Sequence, residues 1–326
     1  MHVAILGATG AVGRTMLRVI EERRLPVDRL TLLASARSAG TVVPWGGREW
    51  TVRAPEPGSF RGVDFALFSA GAERSREWGP RAADEGAVVV DNSSAWRMDP
   101  AVPLVVPEVN LAAAADRPRG IIANPNCSTI QMVVALRALH DAVGVRRVVA
   151  TTFQSVSGAG ETGRTALRAE LEGGRAEDTP FARPIAGNVL PRIGDFDAEG
   201  WTGEERKMMH ETRKILGLPD LPVAATCVRV PVEVGHSVQV MVKTERDFTL
   251  DGVLDALGAF PGIVLARGAD AFPTPLETAG RDEVFVGRVR ADPDFPRTLH
   301  LWVVADNLRK GAATNAVQIV EGVAGG

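Results

Sequence analysis

Tyrosine is absent from this 326-residue chain, which excludes tyrosine-dependent reductase chemistry at the outset. Cysteine is nearly absent: Cys127 and Cys227 are the only two. That number cannot build a disulfide framework, and a free thiol suits a reducing cytoplasm, where the chain is expected to work. Five histidines with no paired spacing give no ground to expect a metal site. No apolar run reaches the roughly 20 residues a membrane span needs, and with a strand at the first residues no signal peptide is expected. The net charge of −3 comes without a basic block, so neither nucleic acid nor a membrane is expected as a partner. What remains is a chain with 45% hydrophobic residues, long enough for two domains with their own cores.

The chain opens on an apolar strand, Met1 to Leu6, followed by Gly7-Ala8-Thr9-Gly10-Ala11-Val12-Gly13 and an amphipathic helix through Leu17, Val19 and Ile20. Strand, glycine turn and helix in that order suit a dinucleotide pyrophosphate. Glycines let backbone approach the phosphates, and the helix N-terminus carries the favourable partial charge. After the second strand, Leu30 to Ala34, the chain runs Ser35-Ala36-Arg37-Ser38, with no carboxylate to hold a ribose 2′-hydroxyl. A guanidinium flanked by two hydroxyls fits a 2′-phosphate, which selects NADP. Further βα units follow, with strands at Asp64–Phe68 and Ala87–Asp91 and a helix over about Glu73–Glu85. Arg97, beyond the second of these strands, is a candidate anion binder or an ordinary surface arginine.

Cys127 lies in Asn124-Pro125-Asn126-Cys127-Ser128-Thr129, between a short strand (Gly120–Ala123) and an apolar helix (Ile130–Leu136). A thiol in the first turn of a helix is favoured as thiolate, the form that attacks acyl carbon. An inert buried cysteine is the other reading, and both stay open at this point.

From about Arg147 strand-like runs crowd together and helices thin out, the pattern of an α+β domain with a largely antiparallel sheet. Gln154 and the small residues to Gly160, Ser157 and Gly158 among them, end one strand. Arg229 sits inside an apolar strand, where its charge needs a structural or a substrate carboxylate. His236 begins another strand and is the best-placed base for a nucleophilic cysteine. Thr202 with Glu205 forms a capping box that starts a helix. On it Glu204 and Lys207 share a face, which helix physics alone reads as a surface ion pair. The whole describes an α/β protein with an N-terminal Rossmann-type NADP-binding domain and a C-terminal α+β substrate and dimerisation domain. The first is expected over residues 1–126, completed by a C-terminal helix at about 306–326; the second spans 127–305.

In this order the motifs resemble the aspartate-β-semialdehyde dehydrogenase family over nearly the whole chain. The segments that carry the likeness are Gly7–Gly13, Ala34–Gly40, Asn92–Met98, Asn124–Thr129, Gln154–Gly160, Glu204–Ile215, Cys227–Val232 with Gly235-His236, and Asp306–Ile319. The resemblance implies NADPH-dependent reduction of L-4-aspartyl phosphate to L-aspartate 4-semialdehyde, a branch-point step toward lysine (through diaminopimelate), methionine, threonine and isoleucine. It implies that Cys127 forms a thioester, His236 acts as general acid/base and Gln154 orients the acyl group. Arg229 would grip the α-carboxylate and Glu204 the α-ammonium, with Arg97, Asn126 and Lys207 on the phosphate. Gly7, Thr9, Gly10, Ala11, Val12, Ser35, Arg37, Ser38, Ser157, Gly158 and Asn307 would contact NADP, and the enzyme would be a homodimer. Phe153 and Gly187 depart from the family pattern, which has tyrosine and phenylalanine there. Rival readings are an N-acetyl-γ-glutamyl-phosphate reductase, a CoA-linked aldehyde dehydrogenase, and an inactive paralogue serving as a binding protein.

Overall fold

The computed structural model describes residues 1–268 and 270–325. It forms two compact units, Met1–Pro125 joined by the chain from Ala312 onward, and Asn126–Gly311.

The first unit runs β1 (His2–Leu6), α1 (Ala11–Glu22), β2 (Arg29–Leu33), a hairpin of β3 (Val42–Trp45) and β4 (Arg48–Thr51), β5 (Phe65–Phe68), α2 (Ala72–Asp84), β6 (Val88–Asp91), α3 (Pro107–Asn110) and β7 (Ile121–Ala123). Its sheet has the order β2-β1-β5-β6-β7, every pair parallel. All five residues of β1 are buried, as expected of a parallel strand covered on both faces. Met16, Leu17, Val19 and Ile20 of α1 join Val3 and Ile5 in the core. Ala316, Val317, Ile319 and Val320 of the helix at Thr314–Ala324 complete that core.

The second unit runs α4 (Cys127–Val143), β8 (Val145–Gln154), a 3₁₀ turn (Val156–Ala159), α5 (Gly160–Leu171), α6 (Gly203–Leu216), β9 (Val223–Arg229), β10 (His236–Thr244), α7 (Leu250–Ala259), β11 (Ile263–Leu265), α8 (Pro275–Thr278), β12 (Val284–Ala291) and β13 (Thr298–Ala305). The final helix is then α9 (Thr314–Ala324). The sheet order is β11-β12-β13-β10-β8-β9. Its inner pairs are antiparallel, but both outer pairs, β11 with β12 and β8 with β9, are parallel. The sheet is therefore mixed, with an antiparallel centre. The crossovers that parallel pairing requires contain α5 and α6 on one side and α8 on the other.

That topology has a chemical consequence. Parallel pairing sets Gln154, the last residue of β8, beside Arg229, the last residue of β9. Antiparallel pairing starts β10 at the same edge, with Ser237 opposite Phe153 and His236 opposite Ala305 at the end of β13. Residues 154, 229, 236 and 306–307, far apart in the chain, thus converge on one edge of one sheet. The two departures from the family pattern lie in ordinary surroundings. Phe153 packs against Trp302 with ring centroids 5.5 Å apart, and Gly187 occupies a left-handed turn (φ +68°) with open space around it.

Candidate active site

Cys127 is the first residue of α4, and Asn126 is its N-cap. The Asn126 side-chain oxygen accepts the N–H groups of Ser128 (3.0 Å) and Thr129 (3.2 Å). Its amide donates to Glu204 Oε1 at 2.7 Å, and its backbone N–H donates to Glu211 Oε2 at 2.7 Å. The cap that positions Cys127 is thus itself held by two carboxylates of α6. Gly311 closes in from another side: a Cβ there would come within 2.9 Å of the Cys127 Cβ. The second cysteine has a different setting. Cys227 is fully buried in β9, 3.7 Å from the Met208 sulfur, and burial pushes its thiol well up. Neither cysteine is in a disulfide.

Glu204 overturns the reading of a surface pair. The capping box forms as expected, with Thr202 and Glu205 exchanging hydrogen bonds, but the face carrying Glu204 is turned inward and only 8% of its side chain is exposed. Oε1 accepts from Asn126 and, at 3.3 Å, from Gln154; Oε2 pairs with Lys207 Nζ at 3.0 Å. Burial alone would raise this carboxyl, but the Lys207 charge and the hydrogen bonds from Asn126, Lys207 and Gln154 bring it down to about 2. Glu204 is an anion at neutral pH. Glu205 accepts the Cys227 N–H at 3.0 Å, which ties β9, and with it Arg229, to the same helix.

Arg229 is buried, and its Nη1 donates to the Ser155 carbonyl at 2.6 Å. Burial lowers its pKa, while the nearby Glu204 and Cys127 favour its charged form. His236 is fully buried, its pKa lowered to about 3 by burial first and by the Arg229 charge second, with Glu204 opposing. Gly158 lies between the two: a Cβ on it would stand 2.8 Å from Arg229 Nη1 and 3.2 Å from His236 Nε2. Asn307 Oδ1 accepts from Ser155 Oγ (3.1 Å), Ser157 Oγ (3.1 Å) and the Gly235 N–H (2.9 Å). The second unit therefore gathers Cys127, Asn126, Gln154, Ser157, Gly158, Glu204, Lys207, Arg229, His236 and Asn307. Residues that sequence reasoning missed are Ser155, Glu205, Glu211, Gly311 and Gln131. Gln131 lies one turn after Cys127 and donates to the His236 carbonyl at 3.1 Å. Its i, i+4 spacing from Cys127 was the available signal.

The remaining candidates belong to the first unit. Gly7 has a left-handed φ of +95°, and a side chain there would run into the Ser69 carbonyl; one on Gly13 would run into Gly7. Gly10 is the N-cap of α1 with no side-chain cap and no acidic residue in the first turn, so the N–H groups of Ala11 and Val12 stay uncapped. Thr9 Oγ1 lies 3.5 Å from Ser38 Oγ, and Ser35 precedes a short 3₁₀ turn holding Arg37, which is exposed and makes no ion pair among the described residues. Arg97 is buried: its Nε donates to the Asn124 carbonyl (2.9 Å) and Nη2 to the Asn92 carbonyl (2.8 Å). It is not the surface arginine that its sequence context allowed.

Backbone donors at a glycine turn in one unit, and a thiol, a buried carboxylate, a guanidinium and an imidazole in the other, are parts that suit a dehydrogenase. Family comparison agrees. Residues 2–117 match the model described as semialdehyde dehydrogenase, NAD binding domain, and residues 136–310 match semialdehyde dehydrogenase, dimerisation domain. The aspartate-semialdehyde dehydrogenase of Aquifex aeolicus is 52% identical over 98% of this chain and 97% of its own length. That of Bacillus subtilis is 47% identical over 98% and 96%. The crystal structure of aspartate semialdehyde dehydrogenase II complexed with ASA from Vibrio cholerae has a TM-score of 0.96 at 51% identity, covering 99% of this chain and 98% of that one. The chain belongs to the aspartate-semialdehyde dehydrogenase family.

Proposed function

We propose that this enzyme reduces L-4-aspartyl phosphate to L-aspartate 4-semialdehyde with NADPH, releasing phosphate, in the biosynthesis of lysine, methionine, threonine and isoleucine. The observation that carries the reading is the convergence of Arg229 and the anionic Glu204 beside Gln154 and the helix-start Cys127. One fixed cation and one fixed anion suit an amino acid's α-carboxylate and α-ammonium.

The Cys127 thiolate, favoured by its place at a helix start, attacks the acyl carbon; the C–O bond to phosphate breaks and a thioester forms. Hydride from NADPH adds to the thioester carbon, and the resulting alkoxide re-forms its carbonyl by expelling the thiolate as the aldehyde leaves. Gln154 orients the acyl group. Arg229 keeps one edge of its fork on the Ser155 carbonyl and offers the other to the α-carboxylate, and Glu204 receives the ammonium. Arg97 and Lys207 bind phosphate through charge, and Asn126 through the amide proton left over from its bond to Glu204. The uncapped start of α1, with Gly7, Thr9, Gly10, Ala11 and Val12, holds the NADP pyrophosphate. Ser35, Arg37 and Ser38 hold the 2′-phosphate, and Ser157, Gly158 and Asn307 complete the cofactor site. The enzyme works in the cytoplasm, and as a homodimer through its second unit, the latter supported by the family's dimerisation domain. No described helix is long and apolar enough to cross a membrane.

The test is a steady-state assay in reverse, with NADP, phosphate and either aspartate semialdehyde or the N-acetylglutamate analogue. Turnover of the first and near-silence with the second are expected. A preference for the acetylated substrate, or for CoA in place of phosphate, would overturn the reading, because neither rewards Glu204 together with Lys207.

A further inference from the structure

Residues 130–136 of α4 are all buried, and Gln131 alone among them is polar. Its Nε2 donates to the His236 carbonyl at 3.1 Å and approaches the Val303 carbonyl at 3.5 Å. Its Oε1 is buried with no hydrogen-bond partner among the described residues. That orientation is forced, because the reversed amide would set its own oxygen against both carbonyls. Gln131 therefore satisfies one end of its amide and strands the other. A stranded buried acceptor lowers stability. Methionine, of nearly the same length and shape, would fill the space and strand nothing.

The gain lies in what the amide joins. His236 and Val303 belong to the antiparallel pair β10 and β13, with His236 opposite Ala305 and Val238 opposite Val303. Cys127 lies four residues before Gln131, on the same face of the same helix. One donor thus reaches from the helix that begins with the thiol to the first residue of the strand that carries the imidazole. The other supports of His236 come from different directions. Ser155 donates its backbone N–H to Nδ1 at 3.0 Å, and Asn307 Oδ1 accepts the Gly235 N–H at 2.9 Å. Those two fix the ring and the preceding peptide against the sheet edge. Gln131 fixes them against the thiol.

We infer that Gln131 is a positioning residue for the chemical step, setting the separation of the Cys127 thiol and the His236 imidazole. The stranded oxygen is what that geometry costs. The inference rests on the reading of Cys127 as nucleophile and His236 as its general acid/base. Proton transfer between such groups demands hydrogen-bond reach, and a small error of placement removes it.

The test is Gln131→Met, with Gln131→Leu beside it, assayed with aspartate semialdehyde, NADP and phosphate. In both, kcat should fall roughly 10- to 100-fold, the scale of a misplacement of about an ångström, while the KM for aspartate semialdehyde changes less than about threefold. Thermal midpoints should stay within about 3 °C of the wild type, since one hydrogen bond and one stranded acceptor are lost together. His236→Ala should itself lose roughly 10²- to 10⁴-fold. In that background the same substitutions should lose less than about threefold more, because a residue acting through His236 has nothing left to position. Nitrogen NMR of ¹⁵N-histidine-labelled enzyme gives a spectroscopic signature, with His236→Ala assigning the signal among five histidines. The His236 ring should shift or broaden in Gln131→Met while the other rings stay unchanged. Full kcat in both variants, an undiminished loss in the His236→Ala background, an unmoved His236 signal, or melting far below the wild type would each overturn the inference. The NMR and melting readouts need no substrate, so failure of the substrate assignment would show separately in the reverse assay.

Discussion

The two units build their sites from opposite materials. In the first, the glycine turn presents backbone: uncapped N–H groups at the start of α1, with side chains excluded at Gly7 and Gly13 by contact with neighbouring backbone. In the second, the sheet edge presents side chains, and nearly every one is already bonded to another; Glu204 alone receives Asn126, Gln154 and Lys207. A backbone site tolerates change wherever no side chain is used. A site of interlocked side chains transmits each change to its neighbours. Mutations should therefore act locally in the first unit and collectively in the second.

The sharpest break of that comparison is Cys127→Ala, which should abolish turnover by roughly 10⁴-fold or more while leaving NADPH binding nearly intact. Cys227→Ala should keep most activity, since its thiol is buried and raised. Stopped-flow turnover and fluorescence titration with NADPH check both. Inactivation that tracked modification of Cys227 would exchange the roles of the two thiols.

Gly158→Ala comes next. Its methyl would press on Arg229 and His236 together, so kcat/KM for aspartate semialdehyde should fall about 10²-fold, the scale of an ångström misplacement. A change confined to the KM for NADP would mean that the methyl meets the cofactor first and that the substrate groups adjust.

Arg37→Ala tests the backbone site where it does use a side chain. Loss of a charge-assisted contact should weaken NADPH use by roughly ten- to a hundredfold and barely alter NADH use. Equal losses with both cofactors, in parallel kcat/KM measurements, would remove the 2′-phosphate role.

The smallest effect is on acid stability. His236 stays neutral in the fold down to about 3, whereas an unfolded chain protonates its histidines near 6.5. Below that pH the unfolded state binds the extra proton, so stability falls with falling pH by roughly 1.4 kcal/mol per unit. Glu204, held at about 2, adds a slope of the same sign below about 4.5, lost as pH drops through its folded value. Denaturant titrations of His236→Gln should show a shallower slope between about pH 6.5 and about pH 4.5, and an unchanged slope would mean that the ring titrates in the fold.

The comparison also explains what could be read from the sequence. The strand, the glycine turn and α1 are contiguous, so the letters alone carried that site. Cys127 at a helix start and the Thr202–Glu205 cap were legible for the same local reason. The inward face of α6 was not: a helix beginning with Glu204 and Glu205 reads as solvated unless one knows that Asn126, Gln154 and the Cys227 N–H wait on the other side. The meeting of Gln154, Arg229 and His236 depends on strand register, including the parallel β8–β9 pair that local alternation cannot distinguish from an antiparallel one. Family resemblance named those residues without supplying the geometry. Neither local pattern nor resemblance gave Ser155 or Gln131 a role, because Ser155 donates its own backbone N–H to His236 Nδ1 and Gln131 donates to the His236 backbone carbonyl, contacts that no residue pattern encodes.

The return of the chain to the first unit at Ala312 has a consequence for synthesis. The strand with Val3 and Ile5 shares a core with Ala316, Val317 and Val320, which are made only after the whole of the second unit. The unit over Asn126–Gly311 is contiguous and can close during translation, while its elder neighbour waits for α9 with part of its apolar surface uncovered. Birth order and maturation order are inverted, and the nascent dinucleotide unit is the part that most needs shelter on the ribosome.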